Sequence, residues 1–567
     1  MQKPNICDLE TFLPEQSLSR HNNMLMTSIL FGTFIILFIS YVRTLKSRYN
    51  YFVQWNIPGP PPQFFFGHLR KLWSAPLSFE QIRDWTHLYG SIYGIFEGTH
   101  PVYIVSDVDF LQEVYIKQFS SFHSRPLNFL ARILQGKGSH LFFAQGNQWR
   151  RQRHVINPTF TTAKLKIMAP LMNKCIQLLM VKLDEMNGQE FNIFILYKRL
   201  TMDVLWNCVF GIDADMQNDI DNIYMKKSAL SVSVQLDKFL VVKLSNVMPF
   251  LIPLLTLLIK ARMFLVDKLR AMIPWLMRNV EDLPSVWIIK RVGNVVRNRL
   301  KSGKKQMDLL QLMLDVAKND EVTDNENEEL TTKHLHYSEV LSNVVLFMVA
   351  GYESTATALA FSTYVLATEP EVQKKLQQEI DENWQENAKE PDYDVLTNMA
   401  YMDLFIREVL RLYALSGRAR TRRCNETTNV CGHQVEKGVT IMPDIYSIHR
   451  NIDLWGPEDV NLFVPERHIT KRHPAAYLAF GVGSRNCVAP KYVHKKLQEY
   501  QLNDEDNPDR WFRLDAQVAM EKLRQKVLSK YVNCDPDYLV ILDNVSAAIN
   551  SILKSLNLCY IIMLHME

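Results

Sequence analysis

Residues 480–487 read Phe-Gly-Val-Gly-Ser-Arg-Asn-Cys, which sets one cysteine on a glycine-flanked turn with Arg485 two positions before it. Gly481 and Gly483 permit backbone conformations that other residues resist, leaving amide N–H groups free to point at sulfur. Arg485 can neutralise an acidic group on the rim of a flat cofactor. A thiolate offered in this way suits an iron, so the loop suggests haem-thiolate chemistry at Cys487. Taken alone, however, it is better described as a glycine-rich turn with an incidental buried cysteine, and only partners elsewhere can decide.

Four other groups of residues bear on that decision. Ala350-Gly-Tyr-Glu-Ser-Thr355 puts an acid and two hydroxyls inside a strongly apolar stretch, where polar groups are costly unless used or paired. Small residues at 350 and 351 leave room for a ligand or O2, and Glu353 could relay protons through Ser354 and Thr355. The competing reading is structural: hydroxyls bonded to the preceding turn, and a glutamate reaching solvent. Glu408 and Arg411 lie three apart, hence on one helical face, which alone is a commonplace surface pair. Pro465-Glu-Arg467 adds an arginine, and a rigidly held cysteine loop would rest against such a buried cluster. Trp149 and Arg153 stand one helical turn apart, suited to gripping an acidic cofactor edge, or else occupying a solvated face.

The elements that must position these residues follow from pattern. A 47% hydrophobic content with 22% charged residues indicates a large core rather than disorder. A net charge of +4 gives nucleic-acid binding no electrostatic support. The eight cysteines are scattered, without the spacing of a disulfide framework or a zinc site, which fits a reducing environment. From about residue 80 to 470 the periodicity is helical. Residues 337–367 read as one long core helix ended by Glu369-Pro370, preceded by a solvated acidic connection at 320–329.

Residues 24–42 carry no charge over nineteen positions, enough for a helix to cross the hydrocarbon layer. Arg43, Lys46 and Arg48 follow, so the positive-inside tendency puts the body in the cytosol. Ile57-Pro-Gly-Pro-Pro-Pro62 reads as a stiff hinge. A second apolar block, residues 247–259, is interrupted by Pro249 and Pro253 and is too short to span; it is either core or a surface patch dipping into the bilayer.

Taken together, these motifs resemble the cytochrome P-450 family in order and approximate spacing over residues 50–488, and the anchor and hinge look like its microsomal members. Ala-Gly-Tyr-Glu suggests the animal branch that oxidises xenobiotics and steroids. The resemblance implies a mainly α fold with small β-sheets, preceded by one transmembrane helix. The expected divisions are a lumenal segment (1–23), the anchor (24–42), the hinge (43–62), the P-450 domain (63–489) and an atypical α/β fragment (490–567).

By resemblance, Cys487 is the axial ligand of haem b iron. Trp149, Arg153 and Arg485 hold its propionates, joined by Arg420 or Arg422, with Phe480 and Gly483 shaping the cofactor loop. Glu353, Ser354 and Thr355 deliver protons, and Glu408, Arg411 and Arg467 form the network behind the haem. The implied activity is a monooxygenase of the endoplasmic reticulum membrane, a single-pass signal-anchor protein. It would act on a lipophilic small molecule with electrons from NADPH-cytochrome P-450 reductase or cytochrome b5, and with no nucleic-acid partner. The alternative is a degenerate, non-catalytic relative that binds haem poorly because its closing helix and hairpin are missing.

The pattern departs from the family in several places. Ser354 stands where threonine is usual, Ala414 and Ala479 where proline is common, and His468 where an aromatic is expected. After Cys487 comes Val-Ala-Pro490, without the usual glycine. Beyond it, Asn507-Pro-Asp-Arg-Trp-Phe-Arg513 and Asp535-Pro-Asp-Tyr-Leu-Val-Ile-Leu-Asp-Asn544 resemble the N-terminal part of a class V pyridoxal-phosphate aminotransferase. That family's Schiff-base lysine and large domain are absent from the sequence, so the tail is expected to be a fragment joined at residues 488–490.

Overall fold

Apolar positions recurring every third or fourth residue produce a fold built mainly of helices, with three small sheets among the described residues. The computed structural model describes residues 14–488, apart from 76, 128, 135–137, 161, 187–188, 234–238, 276–281, 283, 304–307, 319–333, 384–398 and 416. The acidic run 320–329 and the expected aminotransferase-like fragment 490–567 lie outside the described residues.

Helix α1, Pro14–Tyr49, contains the expected span, with exposed apolar side chains from Met24 to Ile39. Its 36 residues come to roughly 54 Å at the usual rise, longer than the hydrocarbon layer. The far end is fastened to the body. Tyr41 packs its ring on Phe65 and Phe250, and its hydroxyl donates to the Val247 carbonyl at 3.1 Å. The proline-rich segment after it lies along the first strand: the Gly94 amide donates to Pro58 O at 2.8 Å. A Cβ at Gly59 would stand 2.2 Å from Gly94 O, so this close approach requires glycine.

The largest sheet has four strands: β1 (Ile92–Glu97), β2 (His100–Val105), β3 (Arg422–Arg423) and β4 (Thr440–Pro443), in the order β1-β2-β4-β3. β1 and β2 form an antiparallel hairpin in which Ile92 faces Val105. β2 and β4 are parallel, with Val102 opposite Thr440, and most of the helical body lies between them in sequence. β3 closes the edge antiparallel to β4, which brings Arg422 into the same sheet as the N-terminal hairpin.

The helices that matter for the site are α2 (Gly146–Ile156), α3 (Ile193–Phe210), α4 (Leu240–Val247), α5 (Ile252–Met272), α6 (Tyr337–Thr368) and α7 (Ala400–Leu412). α6 begins in a capping box, with His336 accepting from the chain and Glu339 accepting from the His336 amide. It ends at Glu369-Pro370, as expected, because proline opens the next helix. Although α6 is long and apolar enough to cross a membrane, over half of its most apolar window is buried in protein, so it runs through the core.

The block at 247–259 corrects the expectation that prolines break it. Pro249 opens a short 3-10 turn and Pro253 sits in the first turn of α5, where a missing N–H costs nothing. The helix therefore continues to Met272, which makes it long and apolar enough to span by length and composition. It is not core. Leu254, Leu257, Leu258, Phe264 and Leu265 are exposed, and Leu255 alone of the described α5 residues is buried.

Candidate active site

The cysteine loop turns on two left-handed glycines, Gly481 (φ 72°) and Gly483 (φ 74°). Gly483 is also forced by space, since a Cβ there would stand 2.0 Å from Tyr115 O. The loop is closed by Cys487 N donating to Phe480 O at 3.0 Å and Asn486 N to Gly483 O at 3.1 Å, while Gly481 N donates to Leu478 O at 3.1 Å. The amides of Gly481, Asn486 and Cys487 are thus used inside the turn rather than left for sulfur. Phe480 packs against the core cluster that includes α6, and the Cys487 side chain is half-buried.

Around this loop the fold collects five arginines. Arg153 of α2 donates to Asn486 O and Oδ1, both at 2.8 Å. Arg485 donates to His123 O at 2.6 Å and to Ala144 O, and lies 4.9 Å from the Trp149 ring. Arg125 donates to Ala419 O and Phe142 O, each at 3.1 Å. Arg422, at the start of β3, donates to Thr421 O at 3.1 Å, and Arg420 stands two residues before it at the end of a 3-10 turn. Trp149 and Arg153 therefore do meet Arg485, and both arginines left open by sequence lie nearby.

No carboxylate among the described residues pairs with any of these five arginines, and the Nε atoms of Arg422 and Arg485 are buried without a partner. Burial, then mutual repulsion, holds Arg125 and Arg485 well below the usual guanidinium range. Burial lowers Arg153 and Arg420 to about 10. Buried cations without acids are strongly unfavourable. A ligand carrying two carboxylates, such as haem, would supply the missing charge, so the residues present fit that group.

On α6, Ser354 donates its hydroxyl to Ala350 O, the structural alternative foreseen for it. Glu353 turns its carboxylate to Lys198 of α3, with Oε1 2.7 Å from Nζ. Leu346, Val349, Ala350, Glu353, Ser354 and Thr357 form a half-buried stripe along the middle of α6, whose other residues from 343 to 359 are buried. Thr355 is off that stripe: it is fully buried and its hydroxyl has no partner. The structure therefore groups Glu353 with Ser354 and separates Thr355 from them.

Glu408, Arg411 and Arg467 form a fully buried cluster. Arg411 clasps the carboxylate through Nε (2.7 Å) and a terminal nitrogen (2.8 Å), while Arg467 Nε adds a bond of 2.9 Å. His468, the departure from an aromatic, does two jobs here. Its ring packs on Trp455 and Tyr477 with centroids 5.1 and 5.7 Å away, and its Nε2 lies 2.9 Å from Glu408 Oε2. A carboxylate only accepts, so Nε2 carries the proton. Burial would push the Glu408 carboxyl up, but bonds from Arg411 and His468 outweigh it and hold it at about 2. Burial lowers His468, which keeps the ring neutral near pH 7 despite its acidic partner.

The cluster reaches the cysteine loop through one histidine. Arg411 donates to His449 O at 2.6 Å, and Leu478 N donates to His449 Nε2 at 2.9 Å. Burial pushes His449 down to about 3, so Nε2 remains an acceptor. A second buried pair was not anticipated from sequence. Glu339 of α6 holds Arg151 at 2.7 and 2.9 Å and Gln152 at 2.9 Å, locking the face of α2 opposite Trp149 and Arg153. Arg125 also escaped sequence reasoning, since nothing local to it signals partners some 300 residues away.

Comparison with known proteins agrees with this geometry. A sequence model of the cytochrome P-450 family matches residues 57–488. Cytochrome P-450 3A12 of Canis lupus familiaris is 31% identical over 478 residues, covering 81% of this chain and 87% of that one. Cytochrome P-450 3A31 of Mesocricetus auratus is 30% identical over 497 residues, covering 84% and 92%. The putative cytochrome P-450 CYP13A4 of Caenorhabditis elegans is 29% identical over 490 residues, covering 82% and 89%. A loop that presents Cys487, five arginines around it (Arg153, Arg422 and Arg485 buried, Arg125 and Arg420 half-buried) that pair with no carboxylate among the described residues, and a family match through Val488 lead to one conclusion: this chain belongs to the cytochrome P-450 family.

Proposed function

We propose that the protein is a membrane-anchored haem-thiolate monooxygenase that inserts one atom of O2 into a lipophilic small molecule. The observation that carries this reading is the set of buried guanidiniums around the Cys487 loop, unopposed by any carboxylate among the described residues. Cys487 would ligate the iron of haem b, and Trp149 with Arg125, Arg153, Arg422 and Arg485 would hold the propionates. When bound, haem supplies the iron and the thiolate-assisted O–O chemistry. The small side chains at Ala350 and Gly351 would let a ligand or O2 approach the α6 backbone. Glu353 takes protons from solvent and passes them inward through Ser354.

The network of Glu408, Arg411, Arg467 and His468 keeps the cysteine loop in register through His449. Electrons come from NADPH through NADPH-cytochrome P-450 reductase, with cytochrome b5 as a second donor. α1 holds the protein in the endoplasmic reticulum membrane with its body in the cytosol, and α5 rests its apolar face on the same bilayer. The substrate enters from that side.

The experiment is haem content. Protein purified from membranes should carry one haem per chain, and Arg422→Leu with Arg485→Leu should lose most of it while keeping its helical circular dichroism. Full retention in the double variant would defeat the reading. The degenerate alternative is favoured by one fact, that the family match stops one residue after Cys487. Absence of haem from the wild type would establish it. We also take residues 490–567 to be an aminotransferase-like fragment, either a real fusion or a mis-joined gene model at 488–490, and favour the fusion. Separate transcripts across that junction would contradict this.

A further inference from the structure

Glu353 has a partner on another helix. The Lys198 ammonium of α3 lies 2.7 Å from its Oε1, with side chains 23% and 31% exposed respectively. Lys198 also lies 4.3 Å over the Phe194 ring, one helical turn earlier on α3. Ser354 meanwhile spends its hydroxyl proton on Ala350 O of its own helix. Glu353 and Ser354 share the half-buried stripe of α6, yet the carboxylate is drawn toward α3 and the serine donates along α6. Nothing in the local sequence announces this pairing, because the two residues are 155 positions apart.

We propose that Lys198 is a positioning residue for proton delivery: its ion pair holds the Glu353 carboxylate toward α3, and the pair must open for Glu353 to reach Ser354. This rests on Glu353 being the proton-delivering acid of the proposed function. With the pair open, Glu353 gives a proton to the Ser354 oxygen while the serine's own proton leaves Ala350 O for an oxygen atom of the O2 that the proposed reaction reduces, and solvent reprotonates Glu353. No bond to carbon changes and no electron moves in this step. The pair is partly exposed, so it is easily opened and its effect is modest. A threefold change in partition corresponds to about 0.7 kcal/mol, within the range of exposed ion pairs.

The test uses the full-length holoprotein in its membranes, driven by NADPH and a flavoprotein reductase with no added substrate. It reads the share of consumed O2 released as hydrogen peroxide, a two-electron product, against water, a four-electron product. Lys198→Met should move the partition toward water by about threefold, a change sized to an exposed ion pair. Lys198→Arg should keep the wild-type value. On a Glu353→Gln background, Lys198→Met should change nothing further. An unchanged partition in Lys198→Met, or an equal shift on the Glu353→Gln background, would overturn the proposal.

A second readout needs no turnover. Acetylation of Lys198 by acetic anhydride, followed by mass spectrometry, should rise about threefold in Glu353→Gln if the pair protects the amine. No rise would also overturn it. Because labelling does not depend on haem, a wild type that lacks haem would defeat the proposed function while leaving the ion pair separately tested.

Discussion

Glu408 shows how much one side chain can carry. It accepts from Arg411, Arg467, His468 and the Val464 amide, and its own carboxylate and both guanidiniums are buried. Glu408→Gln removes the charge that balances two buried guanidiniums, so an expected loss of about 3–5 kcal/mol should appear in denaturant unfolding. Its pH dependence has a definite sign. The folded carboxyl sits at about 2, below the ordinary value of roughly 4.3, so its stabilisation is complete above about pH 5 and fades as the pH falls through 2. Between those limits the wild type should lose melting temperature more steeply than Glu408→Gln; parallel curves would contradict the assignment. Glu408, Arg411 and Arg467 were legible through the family resemblance, since the three-residue spacing of Glu408 and Arg411 is commonplace by itself and Arg467 meets Glu408 from 59 positions away. His468 and Arg125 were not, because their roles are set by partners remote in the chain.

Elements with a strong period were legible almost to the residue. The core helix expected at 337–367 is observed as Tyr337–Thr368, since its apolar run is long and a proline marks its end. α5 was misjudged because Pro253 was weighed as a breaker, although a first-turn proline is compatible with a helix. The exposed face of α5 leads to a prediction at this scale. A variant lacking residues 1–48 should still sediment with phosphatidylcholine vesicles. Leu254→Asp with Leu257→Asp and Leu258→Asp should lower the bound fraction at least about fivefold, given the apolar area removed. Equal binding would show that this face stays in water. The cysteine loop gives another. Gly483→Ala adds a Cβ at positive φ against Tyr115 O, which should cost about 1–3 kcal/mol and displace Cys487. Thermal melts alongside haem content would check it, and an alanine variant with wild-type values for both would contradict it.

Across the whole molecule, the four-stranded sheet and the core helices converge on one loop. α1, long and apolar enough to span a membrane, is tied to the body through Tyr41. The crossover from β2 to β4 sets Arg422 near the cysteine loop, while α2, braced by Glu339, brings Trp149 and Arg153 from the other side. Sequence order announced this assembly but not the charge that fills it: five buried or half-buried arginines that pair with no carboxylate among the described residues can be counted only after folding. The central claim is that Cys487 offers a thiolate to a haem held by those arginines. The most direct measurement is the carbon monoxide difference spectrum of the reduced protein in its membranes. The expected result is the red-shifted Soret band of a thiolate-ligated haem, abolished by Cys487→Ala. A spectrum without that band, or one unchanged in the alanine variant, would contradict the account.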